Sequence, residues 1–176
     1  MTTFGLIMSG FMLLVSHLGE MDPSITPRMP VLNSPLLSIH VSIIMMSYAL
    51  LSLTFISAIA YFFTRNSKRE SVISVNKQLT DLSQIFLYPA ITTLGLGIFI
   101  GAIWANISWG TYWGWDPKET WALITFLIYA IPLHTNSLPA LRKPEKYHFF
   151  MLLSFLSILM TYFGVNYILG GMHSYA

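Results

Sequence analysis

Five apolar segments, at residues 4–18, 35–63, 85–107, 117–134 and 148–169, dominate this chain. A helix needs about 20 predominantly apolar residues to cross the hydrocarbon core, and its backbone must satisfy its own hydrogen bonds there. Segments of this length predict membrane-spanning helices. The one at 4–18 is the shortest, and the one at 35–63 is long enough to project beyond the hydrocarbon at one end. Charged residues are only 9% of the chain, against about 25% in a soluble domain, and the mean hydropathy is +0.64. The expected fold class is therefore an all-α integral membrane protein. It is expected to form a single polytopic domain over residues 1–176, with about five transmembrane helices. The first segment has no flanking positive residue and no small-residue cleavage site, so it does not read as a signal peptide.

Charge predicts the orientation. Of nine basic residues, all but Arg28 and Lys118 fall in two loops, as Arg65, Lys68, Arg69 and Lys77, then Arg142, Lys143 and Lys146. Cytoplasmic loops carry the excess of Lys and Arg. The loop 19–34, the loop between the third and fourth segments and the C-terminus are then expected outside. A net charge of +2 gives no reason to expect nucleic acid as a partner; the lipid membrane is the expected surroundings. Helix punctuation agrees with the segments. Asn33-Ser34-Pro35 and Asp116-Pro117 each read as a cap followed by Pro at the first helical position. Glu119 is spaced for a capping box with Asp116. Gly97 and Gly101 form a GxxxG element that lets neighbouring helices approach closely.

The loop at 108–121 has an unusual composition. It holds every one of the chain's five Trp residues except Trp104, namely Trp109, Trp113, Trp115 and Trp121, with Tyr112 among them. Trp and Tyr collect at membrane interfaces whatever a protein does. Several on one anchored loop also make a flat apolar shelf. His40 and His173 are expected on the same outer face. Two imidazoles for an iron and indoles for a macrocycle read as a haem site if they converge. The chain has no Cys, which removes thiolate metal sites and leaves His as the iron ligand. The residues alone leave His40 open between an interfacial histidine and a ligand, and His173 reads first as part of a chain terminus.

The pattern Trp109-Gly110-x-x-Trp113-x-Trp115-Asp116 resembles the tryptophan-rich (WWD) signature of haem-handling proteins of cytochrome c maturation. Its continuation, Pro117-Lys118-Glu119-Thr120-Trp121-Ala122-Leu123-Ile124, is similar to the CcsA/ResC family of the system II pathway. So are Ser38-Ile39-His40-Val41-Ser42 and Gly170-Gly171-Met172-His173-Ser174-Tyr175. Members of that family usually carry further helices upstream, so the resemblance is to the C-terminal part.

The resemblance implies a function: haem b, as transported substrate, is bound and presented at the outer face for covalent attachment to apocytochrome c. It implies His40 and His173 as ligands of the haem iron. The loop residues Trp109, Gly110, Trp113, Trp115, Asp116 and Trp121 would bind the cofactor. His134, at the inner end of the fourth segment, reads from the residues as a helix-end histidine stabilising exposed carbonyls; the resemblance implies instead an inner site completed by a histidine of a CcsB/ResB-like membrane subunit or of a fused segment. Apocytochrome c with a Cys-x-x-Cys-His motif would be the second partner, as part of a cytochrome c synthase complex. The implied location is the bacterial inner membrane, or the thylakoid membrane in a plastid. Two other readings are weighed beside it. One is a delivery protein that hands haem to a carrier without attaching it; the other is a non-haem structural subunit. His17 and His148 carry no motif and read as structural or interfacial.

Overall fold

The computed structural model describes residues 34–67, 69–135 and 137–169. The segment at 4–18, His17 and His173 lie outside the described residues. Helix α1 is Pro35–Thr64 and α2 is Glu70–Trp109. Helix α3 is Pro117–Ala130, prolonged by a 3₁₀ turn at Ile131–His134. A second 3₁₀ turn at Pro139–Arg142 leads into α4, Pro144–Leu159, which runs on as a π-helical stretch at Met160–Leu169. Among the described residues, three helical runs, Pro35–Thr64, Glu70–Trp109 and Pro144–Leu169, are long and apolar enough to cross a membrane. With its 3₁₀ turn, α3 reaches about 29 Å, close to the thickness of the hydrocarbon core.

Two boundaries differ from the sequence expectation. The helix expected over 85–107 begins at Glu70. Residues 70–84 are too polar for a hydropathy criterion, yet no Gly or Pro stops the helix there, and Leu79, Thr80 and Ser83 bury against the bundle. The helix expected over 148–169 begins at Pro144, which occupies the first helical position. The tryptophan-rich stretch is also shorter as a loop than the expected 108–121. Trp109 ends α2 and Pro117 begins α3.

Helices α1 and α2 form an antiparallel hairpin, since partner numbers fall along α2 as they rise along α1. His40 meets Gly97, Ser47 Oγ donates to the Ala90 carbonyl at 2.8 Å, and Thr64 bonds Asn76. Helix α4 packs against both, with Phe155 stacked on Phe55 at 4.0 Å and His148 stacked on Tyr61 at 4.4 Å. Helix α3 joins α4 through Thr125 and Thr161, whose hydroxyls are 3.0 Å apart. The core holds Leu51 and Ala58 from α1, Leu87, Ala90 and Leu94 from α2, Tyr129 from α3 and Met151 from α4.

Hydroxyl residues line these seams. Ser47, Thr54, Ser57, Ser83, Thr125, Ser154, Ser157 and Thr161 are all buried. Small side chains let helices in lipid approach, because lipid removes the hydrophobic drive between them. Most of these hydroxyls also donate to a carbonyl of their own helix, as Ser57 does to Leu53 and Ser154 to Phe150, each at 2.8 Å. The donors are thereby satisfied without water. At the hairpin end, Arg65 pairs with Glu145 and its guanidinium stacks over Phe62. This pair is exposed, so it contributes at most about 1 kcal/mol.

Candidate functional site

His40 sits in the second turn of α1 and is half-buried against α2. Its Nδ1 lies 2.8 Å from the carbonyl oxygen of Gly97. A carbonyl only accepts, so Nδ1–H donates, and Nε2 carries the lone pair of the neutral ring. The ring rests on Gly101. A Cβ there would come within 2.5 Å of His40 Cε1 and 2.8 Å of Nδ1. Gly97 takes the next residue of the same face of α1, and a Cβ there would come within 2.5 Å of Ile44 Cδ1. The GxxxG element is thus the floor under His40 and Ile44. Sequence reading gave it only the role of helix approach.

Two turns further along α2 comes the tryptophan cluster. Trp104 is 1% exposed and meets Trp109 edge-on at 4.8 Å. Gly110 closes the helix in the left-handed region, at φ 79°, with its N–H on the Asn106 carbonyl at 2.9 Å. The space around it is open. Backbone conformation rather than crowding therefore calls for Gly at this C-terminal cap.

The loop then folds around one carboxylate. Trp115 adopts φ 56°, an outlier for a bulky side chain. The amides on either side of it, Gly114 N and Asp116 N, both donate to Glu119 Oε2, at 2.8 and 3.2 Å. Asp116 caps α3 in return, accepting from Lys118 N at 3.1 Å, and the two acids complete the capping box the spacing predicts. Strain of this kind, about 1–3 kcal/mol, persists where surrounding contacts over-determine it and gathers at ligand sites. Its result is an indole that is 70% exposed, held edge-on to Trp113 at 5.8 Å, with Tyr112 exposed beside it. Asp116 itself is buried and engaged in the cap, so it positions the loop. Lys118 Nζ donates to Asn166 Oδ1 at 2.7 Å, tying the start of α3 to the π-helical stretch.

This clasp makes a prediction. Glu119→Ala removes the acceptor shared by both amides and is expected to cost about 1 kcal/mol in helix capping. It should also release Trp115 from its left-handed conformation. Glu119→Gln keeps a carbonyl oxygen at the same place and should behave close to wild type. Trp fluorescence quenching by a water-soluble quencher, compared across the two variants, checks this. Equal quenching in both would show that the carboxylate does not hold the loop.

The other expected residues are spread out. Trp121 lies one turn into α3 and lines an apolar groove of about 540 Å³ between α3 and α4, with Ile128, Phe150, Leu153 and Met160. Thr161 Oγ1 donates to its carbonyl at 3.3 Å. His134 is exposed at the far end of α3 from the tryptophan loop, where its carbonyl accepts from Ser137 N and Leu138 N. His148 is fully buried, with Nε2 3.0 Å from Thr80 Oγ1 and its ring against Tyr61 and Tyr147. It packs inside the bundle rather than at an interface.

The end of the bundle near the loop thus joins three things. They are an imidazole with a fixed tautomer, a pair of edge-on indoles on a clasped loop, and a flat glycine floor. These features define an all-α membrane bundle with a clasped aromatic loop and a carbonyl-held histidine.

Comparison with known families narrows the class. The family described as "Cytochrome C assembly protein" matches residues 1–173. The chain is 44% identical over 178 residues to Protein NrfI of Wolinella succinogenes, covering 97% of this chain and 19% of that protein. It is 36% identical over 179 residues to Cytochrome c biogenesis protein CcsA of Mesostigma viride, covering 85% of this chain and 58% of the relative. With the CcsA of Chlamydomonas reinhardtii it shares 36% identity over 156 residues, 85% of this chain and 43% of that one. The chain belongs to the cytochrome c assembly protein family. It spans about a fifth of the NrfI protein and about half of these CcsA relatives.

Proposed function

We propose that this chain binds haem at the outer end of the bundle and presents it for covalent attachment to apocytochrome c. The observation that carries the reading is the His40 geometry. Its Nδ1 is held by the Gly97 carbonyl, and Nε2 is the atom that coordinates iron in this reading. That is the usual arrangement of a metal-binding histidine, whose other nitrogen is held by a backbone carbonyl or carboxylate. The clasped tryptophan loop two turns away supplies flat apolar faces. His173, in the Gly-Gly-Met-His run, serves as the second ligand in this reading.

Attachment itself needs no nucleophile from this chain. Each thioether forms when a thiol S–H of Cys-x-x-Cys-His adds across a haem vinyl. Sulfur bonds one vinyl carbon, hydrogen the other, and no net electron transfer occurs. What the protein contributes is position: one edge held in the aromatic loop, vinyls exposed, the incoming thiols brought close. The apocytochrome's own histidine then displaces one protein imidazole from the iron.

The direct test is an absorption spectrum of the protein purified from membranes of a haem-making host. A Soret band with a bis-histidine signature is expected. Its absence from well-folded protein overturns the reading and favours a structural subunit.

Orientation belongs to the same proposal. By the positive-inside rule the basic residues at the α1–α2 turn and the first turns of α2, and those at Arg142–Lys146, would lie inside, and the tryptophan loop would then face outward. The chain has no Cys, so single substitutions report cleanly. Tyr112→Cys is expected to react with an impermeant maleimide in intact cells, and Lys143→Cys only after lysis. The reverse pattern would put the site on the wrong side for secreted apocytochrome.

A further inference from the structure

We infer that Gly101 is a positioning residue for the haem ligand: its missing side chain, together with the Gly97 carbonyl, fixes the ring plane and tautomer of His40. The inference rests on the haem-binding reading above but concerns residues of α2 that are neither ligands nor part of the aromatic loop.

The geometry separates two jobs within one GxxxG element. Both glycines face α1. A methyl at position 97 would meet Ile44, with Cδ1 at 2.5 Å and Cγ1 at 2.9 Å. The three atoms nearest a methyl at position 101 all belong to the imidazole, at 2.5, 2.8 and 3.2 Å from Cε1, Nδ1 and Nε2. In each case the obstructed group is the end of a side chain on a rotatable bond. The helices can therefore stay together while the side chain moves. At position 97 the moved group is an aliphatic tip. At position 101 it is the ligand, and the ring cannot shift off the floor and keep its 2.8 Å bond to Gly97.

That bond has a chemical consequence. A histidine whose Nδ1–H is held by a carbonyl is a more basic ligand through Nε2. A more basic ligand stabilises ferric over ferrous iron, so the bond should hold the potential of the bound haem down. Loss of such outer contacts typically costs 10- to 100-fold in metal affinity. Gly101 is thus expected to influence both retention and potential without touching the haem.

The experiment compares Gly101→Ala, Gly95→Ala and His40→Ala in the protein purified from membranes with its haem. Gly101→Ala is expected to accumulate as wild type does and to lose haem about tenfold faster to an apomyoglobin acceptor. What remains should show an altered low-spin EPR signature and a raised midpoint potential. Added imidazole should restore retention in part. Gly95→Ala adds the same methyl to the same helix, but against Phe126 at 3.2 Å, and should leave retention, EPR signature and potential unchanged. If Gly101→Ala matches Gly95→Ala in all three readouts while His40→Ala loses haem, the positioning role is wrong and the haem reading stands. If His40→Ala itself retains haem with an unaltered spectrum, the haem reading fails instead.

Discussion

His40→Ala is expected to strip the outer haem almost completely from the purified protein, with partial recovery on adding imidazole. The Nδ1 of His40 is held by Gly97 and the ring's Nδ1–Cε1–Nε2 edge lies closest to Gly101, and the proposed function uses Nε2 to bind the iron. Outer contacts to a ligating histidine matter 10- to 100-fold; losing the ligand itself should cost more than about a hundredfold in retention. Truncation to Ala also leaves a space shaped like the lost ring above Gly101. Free imidazole can enter it and meet the same carbonyl, which is why rescue is expected here and not for a variant that merely unfolds. The stability cost should be small, because His40 is half-buried and lies outside the main core. Soret absorbance per unit protein, with and without imidazole, checks both halves. Haem content unchanged in His40→Ala would remove this histidine from the site.

The membrane fold was legible because lipid imposes a simple rule. A spanning helix must be long and apolar, and α1, residues 85–107 of α2 and most of α4 announce themselves that way. The extension of α2 to Glu70 was not legible, since hydropathy reports lipid burial and says nothing about a helix that continues through polar residues. The π-helical winding at Met160–Leu169 left no trace either. In a stretch apolar on nearly every side, periodicity cannot separate the α-helical repeat from a wider one.

The site shows the same division. The capping box at Asp116 and Glu119 was readable because it is a local code at fixed spacing. What Glu119 does beyond capping, holding the amides on both sides of Trp115, depends on a left-handed Trp that no propensity favours. The pairing of His40 with Gly97 and Gly101 joins residues far apart in the chain. One signal was present: two glycines a turn apart in a helix, matched by a histidine and an isoleucine one turn apart at residues 40 and 44. Read together, those spacings describe one seam.

The second large effect expected is an absolute one: residues 1–176 produced alone should attach no haem to a Cys-x-x-Cys-His reporter. Haem made inside must cross about 30 Å of hydrocarbon to reach the tryptophan loop. Among the described residues, His134 is the histidine exposed at the inner end of α3. His40 lies at the other end, and His148 is locked between Tyr61, Tyr147 and Thr80. One imidazole makes half of a bis-histidine site. In the proposed function the other half comes from a CcsB/ResB-like subunit or from a fused segment. Co-expression with that subunit and with the upstream part of a longer relative should turn attachment on, scored as haem that stays on the reporter through denaturing electrophoresis. His134→Ala should then abolish the gain, while added imidazole restores part of it. Efficient attachment by residues 1–176 in a host lacking any such partner would mean that the inner site is complete without it, and that the functional unit is smaller than this argument requires.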